Sequence, residues 1–202
     1  MASPILEMLQ SQLGGDQVTQ ISRQIGADQG ATQKAIQGAL PMLVSALANN
    51  SSRSGGASAL LGALDRDHDG SILDDLAGFL GQGDASPGSA ILKHVLGGRR
   101  DAAANGLGRM SGLDKGSAAQ LLALLAPIVM GAIGKARRQR GLDEDGLAGM
   151  LQGERRRVEK KAPEGMGMLS QILDSDGDGE VADDVARIGM SVLGNLFGGR
   201  RR

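Results

Sequence analysis

Two stretches of the chain carry residues whose types and spacing could do chemistry. In DRDHDGSILDD (65–75), Asp65, Asp67 and Asp69 hold the first, third and fifth positions of a loop and Gly70 the sixth. In DSDGDGEVADD (174–184), the same positions hold Asp174, Asp176, Asp178 and Gly179. Carboxylates at alternate positions converge on one hard cation, and glycine at the sixth permits a sharp turn, as in the first half of an EF-hand loop. The seventh position supplies a backbone carbonyl, here from Ser71 and Glu180, and the eighth is apolar, Ile72 and Val181. The second half departs from that pattern. The twelfth position, where a bidentate glutamate belongs, is Leu76 or Val185, and both stretches instead carry paired aspartates, Asp74–Asp75 and Asp183–Asp184. The closing ligand would come from these pairs, with Asp75 and Asp184 placed in the expected sets. The sets are Asp65, Asp67, Asp69, Ser71 and Asp75, and Asp174, Asp176, Asp178, Glu180 and Asp184. Their oxygen-rich, flexible character suits Ca2+ ahead of Mg2+.

A plainer reading makes the same aspartates Asx turns and helix caps, with Ser71 and Asp74 spaced as a capping box. It leaves a cost unexplained. Two like charges about 5 Å apart repel by about 1–3 kcal/mol at effective dielectrics of 80 to 20. Three carboxylates so close together, twice in one chain, therefore ask for a cation.

Little else points to chemistry. The chain has no cysteine, which removes thiol nucleophiles and Cys-based metal centres, and its two histidines are His68 and His94. No nucleophile–base–orienter set can be picked out, so an enzyme is not expected. GLGRMSG (106–112) lacks the Lys-Ser/Thr that ends a phosphate loop. ISRQIGADQGATQKAI (21–36) has helix-turn-helix spacing, but its second helix turns apolar where a recognition helix must stay polar. The net charge is −1, which gives no global attraction for nucleic acid. A nucleic-acid-associated protein remains the alternative, through that segment, the basic stretch 135–164 and the terminal GGRRR.

The elements that hold these loops are expected to be helices. Ala and Leu dominate the apolar residues, Phe79 and Phe197 are the only aromatics, and 33 glycines would end many short helices. IGADQGATQKAIQGALPMLVSALA (25–48) aligns without gaps on SGLDKGSAAQLLALLAPIVMGAIG (111–134) at an offset of 86, while the aspartate loops match at an offset of 109. The chain is thus expected to be all-α and internally duplicated, a multi-helix array with two central Pro-kinked apolar helices and two Asp-rich turn loops. Asp28 and Asp114 would cap the central helices, and Pro41 and Pro127 would kink or break both at the same place. A first repeat would span 1–86 and a second 87–202. The second would carry the basic insertion 135–164, expected to be a solvated linker, and a partial third repeat at 190–202. VLGNLFGGRR in that partial repeat resembles VLGGRR at 95–100, and so predicts homo-oligomers built head to tail. The apolar run 121–134 spans about 21 Å as a helix, short of the roughly 30 Å membrane core, so a buried helix is expected. The N-terminus has no signal-peptide pattern, and a cytoplasmic location without membrane contact is expected.

ALPMLVSALANN, GGASALLGALDRDHDGSILDDLAGFLG, ILKHVLGG and LLALLAPIVMGAIG together resemble the bacterial family catalogued as domain of unknown function 937, related to the YidB-like proteins. The likeness runs over roughly residues 1 to 153, carried by HDGSILDD and the paired proline helices. It implies a soluble bacterial all-α protein and brings no activity, substrate or catalytic residue.

Overall fold

The computed structural model describes residues 3–161, and within them every regular element is a helix. The chain runs α1 (Pro4–Gln12), α2 (Gly15–Ile25), α3 (Gln29–Ser51), α4 (Gly56–Asp67), α5 (Leu76–Gln82), α6 (Ser86–Val95), α7 (Arg100–Ser111), α8 (Lys115–Arg140) and α9 (Glu144–Lys161). Single 3-10 turns cover Ser71–Leu73 and Gly97–Arg99. The loop at 174–184 and the partial repeat at 190–202 lie outside the described residues, so Asp174, Asp176, Asp178, Glu180 and Asp184 have no placement here.

Helices α3 and α8 form the centre, and the same local chemistry starts each. The preceding helix ends on a left-handed glycine, Gly26 at φ 66° or Gly112 at φ 86°. An aspartate then caps the next helix: Asp28 accepts the Gly30 and Ala31 N–H groups at 2.8 and 3.1 Å, and Asp114 those of Gly116 and Ser117 at 2.8 and 3.0 Å. This satisfies donors that a helix N-terminus otherwise leaves unpaired. Pro41 and Pro127 lie inside their helices, and neither breaks its helix: α3 continues to Ser51 and α8 to Arg140. A proline removes one backbone bond, and burial on nearly all sides holds the remaining turns in place.

From Leu121 to Gly134 every residue of α8 is buried. It packs on α6, α7 and α3, with α1, α2 and α4 completing its surround, while α3 is flanked by α9, α7 and α2. The two sets of helices therefore interleave around one shared core instead of forming separate bodies. By length and composition α8 is the one described helix that could cross a membrane, and its apolar stretch is mostly buried within the protein.

Over its described part, 135–161, the basic stretch is not the linker that its charge suggested. Lys135–Arg140 are the last turns of α8, and α9 follows after only Gly141, Leu142 and Asp143. Leu147 and Leu151 are buried in the core and Val158 is buried too, spaced four and seven residues apart on one face. The basic residues between them masked this stripe.

Candidate functional site

The first aspartate loop is a corner between α4 and α5, pressed onto the C-terminal half of α8. Its backbone reaches α8 because glycines face each other there. A Cβ at Gly134 would run into the His68 carbonyl, and one at Gly131 into the Ile72 side chain. Gly70 sits at φ 99°, where L side chains are strained, and a Cβ there would come within 2.8 Å of the Lys135 Cβ.

The carboxylates divide into ion pairs and caps. Asp65 pairs with Arg137 at 2.5 Å, Asp69 with Arg138 at 3.3 Å and Asp74 with Lys135 at 3.1 Å. Asp69 also accepts the Ser71 N–H at 3.0 Å. Hydrogen bonding from the Ser71 side chain and backbone, with the Arg138 charge adding to it, holds the Asp69 carboxyl below the usual carboxylate range. Asp75 caps α5 by accepting the Gly78 N–H at 2.9 Å, which is the plainer role weighed for it. His68 is half-buried; desolvation pulls its imidazole below the ordinary value, and the nearby Asp67 carboxylate opposes the shift in part.

Of the first expected ligand set, Asp65 and Asp67 thus belong to the last turn of α4 and not to a turn. Two residues apart on a helix, their Cβ vectors point about 160° apart around the axis. Asp69, Ser71 and Asp75 follow in the corner itself. Among the described residues, no three Asp, Glu or His side chains lie close enough to hold one metal ion. The repulsion that asked for a cation is met here by cations of the chain, Lys135, Arg137 and Arg138. Residue spacing within the loop could not reveal them. They lie 61 to 72 residues away, and the one signal was KARRQR directly after the apolar helix.

A second polar cluster went unanticipated. Glu154 is 1% exposed although it sits among arginines in α9. Its carboxylate accepts the Ser3 hydroxyl and the Ile5 N–H at 3.3 Å, and takes Arg157 at 2.8 Å through the other oxygen. It thereby ties α9 to the N-terminus of α1, where negative charge is favoured. Gln152 donates to the Ala48 carbonyl at 3.1 Å and to Ser52, and Arg155 to Asn49, which fastens α9 along α3.

Neither the curated proteins nor the solved structures include a match to this chain. The model of a family described as bacterial protein of unknown function, DUF937, matches residues 7–136, from within α1 to the buried part of α8. It stops short of α9, a narrower span than the one expected from the quoted motifs. The matched region is most of the chain and contains the first aspartate loop, all of α3 and α8 as far as Ala136, so the chain belongs to this DUF937 family of bacterial proteins.

Proposed function

We propose that this protein is a non-enzymatic helical scaffold for protein interaction and self-association, in which the loop at 65–75 is an electrostatic fastener. The observation that carries the reading is the pairing of Asp65, Asp69 and Asp74 with Arg137, Arg138 and Lys135. Carboxylates capable of acid or base chemistry are engaged in fixing one corner of the fold to its central helix. The same pairing argues against the nucleic-acid alternative, because three cations of the basic stretch already face carboxylates. A gel shift at low salt tests that alternative, which a band shift would revive.

The self-association half of the proposal rests on VLGNLFGGRR (192–201), whose counterpart residues Val95 and Leu96 are buried in the fold. A segment of the same composition gains by finding an equivalent seat in a second copy. Light scattering of the full chain and of a chain ending at Gly189 tests this. A smaller particle after truncation supports it, and an unchanged size removes it.

Calcium is the second reading, favoured by the exposure of the pairs. The Asp65, Asp69 and Asp74 side chains are 42–72% exposed, and exposed ion pairs contribute about 0–1 kcal/mol each. Ca2+ would compete with the α8 cations for these carboxylates, and the last turn of α4 would have to unwind for Asp65 and Asp67 to join them. A ligand at 100 times its Kd adds about 2.7 kcal/mol to stability. Equal melting in Ca2+ and in chelator, for the wild type and an Asp69→Ala/Asp178→Ala chain, would sink this reading.

A further inference from the structure

We propose that α9 is an exchangeable strap: the turn at Gly141 can straighten, so that α9 of one chain covers α3 of a second copy. Four features of the fold carry this.

First, the return of α9 onto α3 depends on a very short turn. Gly141 adopts φ 59°, the Gly141 N–H reaches the Arg137 and Arg138 carbonyls, and the Leu142 N–H reaches the Arg137 carbonyl at 3.1 Å. Only three residues separate α8 from α9, and short hinges favour exchange of the element that follows.

Second, the straightened segment would be content in water. Arg137, Arg138, Gln139, Arg140, Asp143, Glu144 and Asp145 make the junction polar nearly all round, and Arg140 and Glu144 stand at helical i,i+4 spacing. One continuous helix from Lys115 to Lys161 would expose no apolar run at the junction.

Third, the partner is set by what holds α9 in place. The helix is held by discrete grips, Gln152 on Ala48, Arg155 on Asn49 and Glu154 on Ser3 and Ile5, around the buried Leu147, Leu151 and Val158. Each grip is reproduced unchanged when α9 comes from another chain, so the partner that the α3 face fits is a second copy.

Fourth, the family match ends at residue 136, before the hinge. The strap lies outside the matched part of the fold.

This mode is separate from the contact proposed for residues 190–202, and the test keeps the two apart. The chain has no cysteine, so Ser52→Cys with Gln152→Cys, at a pair whose side chains meet across α3 and α9, gives two thiols that a short bis-maleimide can bridge in the full-length protein. Within a closed chain that bridge is intramolecular; across exchanged straps it links two chains. The expected result is a covalent dimer whose share rises with protein concentration during refolding. Gly141→Ala should raise it further, because alanine disfavours the left-handed turn and favours a continuous helix. About tenfold per hinge gives a dimer Kd about 100-fold lower, since two hinges straighten per dimer. Inserting Gly-Ser-Gly-Ser after Leu142 should reduce the covalent dimer. Monomer-only cross-links at every concentration in the wild-type hinge would overturn the proposal, whether or not Gly141→Ala folds.

Discussion

The corresponding faces of α3 and α8 are covered by different means. On α8 the face presents Gly131, Gly134, Lys135, Arg137 and Arg138, and an aspartate loop lies against it. At the 86-residue offset, α3 presents Ser45, Ala48, Asn49, Ser51 and Ser52, and α9 lies there instead. α3 lacks both the glycines and the cations at these positions. A loop backbone can come close only where side chains are absent, and its carboxylates stay near only where cations answer them. A helix needs neither, since its side chains set the distance and can donate to Ala48 and Asn49. The cover on each central helix is thus written in five residues of that helix as much as in the cover itself.

The largest effect should come from filling the loop seat. Gly134→Ala would normally help a helix by about 1 kcal/mol. Here the added methyl meets the His68 carbonyl, and a loss of about 2–3 kcal/mol in chemical denaturation is expected. A gain in stability would mean that the loop does not sit on α8 as described.

Next is the strap on the α3 side. Glu154→Ala leaves the buried Ser3 hydroxyl and the Ile5 N–H without their acceptor and should cost about 2 kcal/mol. Glu154→Gln keeps an acceptor oxygen and should recover part of the loss. Equal stability of all three proteins would contradict the role given to this carboxylate.

The ion pairs should be weaker and salt-dependent. A double-mutant cycle on Asp65 and Arg137 should give a coupling of about 0.5 kcal/mol that shrinks in 1 M salt. A coupling indifferent to salt would point to packing and not charge.

The smallest effects are in pH. Asp69 and Asp114 have carboxyls lowered from 3.8, Asp114 chiefly by the Ser117 hydroxyl and N–H. Their contribution is present above the ordinary carboxylate value and is lost as pH falls through the lowered one. His68 works at higher pH. Its folded value lies below 6.5, so the unfolded chain binds the proton more readily, and stability falls as pH drops below 6.5. His68→Gln should flatten that part of the melting curve. An unchanged slope would place the titration elsewhere.

Much of the α8–α3 frame is legible in the sequence. The aligned Gly-x-Asp turns placed both central N-caps, because a left-handed glycine and a capping aspartate are local chemistry. The apolar run 121–134 marked a buried helix because its residues are apolar on nearly every side. The aspartate loop was legible as a charge problem and not as its solution, since the counter-charges come from another helix. α9 was missed because its arginines outweigh three buried apolar residues, and Glu154 because nothing in ERRR separates the one buried charge from the exposed ones. Of the kink or break expected at Pro41 and Pro127, the break does not occur, since burial on nearly all sides outweighs one missing backbone bond.

The most direct test of the fastener is native-state hydrogen exchange on the loop amides of residues 68–74 in chelator, comparing the wild type with Lys135→Gln/Arg137→Gln/Arg138→Gln. The account predicts protected loop amides in the wild type and exchange at least about tenfold faster in the variant, the effect of roughly 1.4 kcal/mol lost from three exposed pairs. The buried amides of α8 from Leu121 to Ile133 should be little changed. Loop amides that exchange at the same rate in both proteins would contradict it.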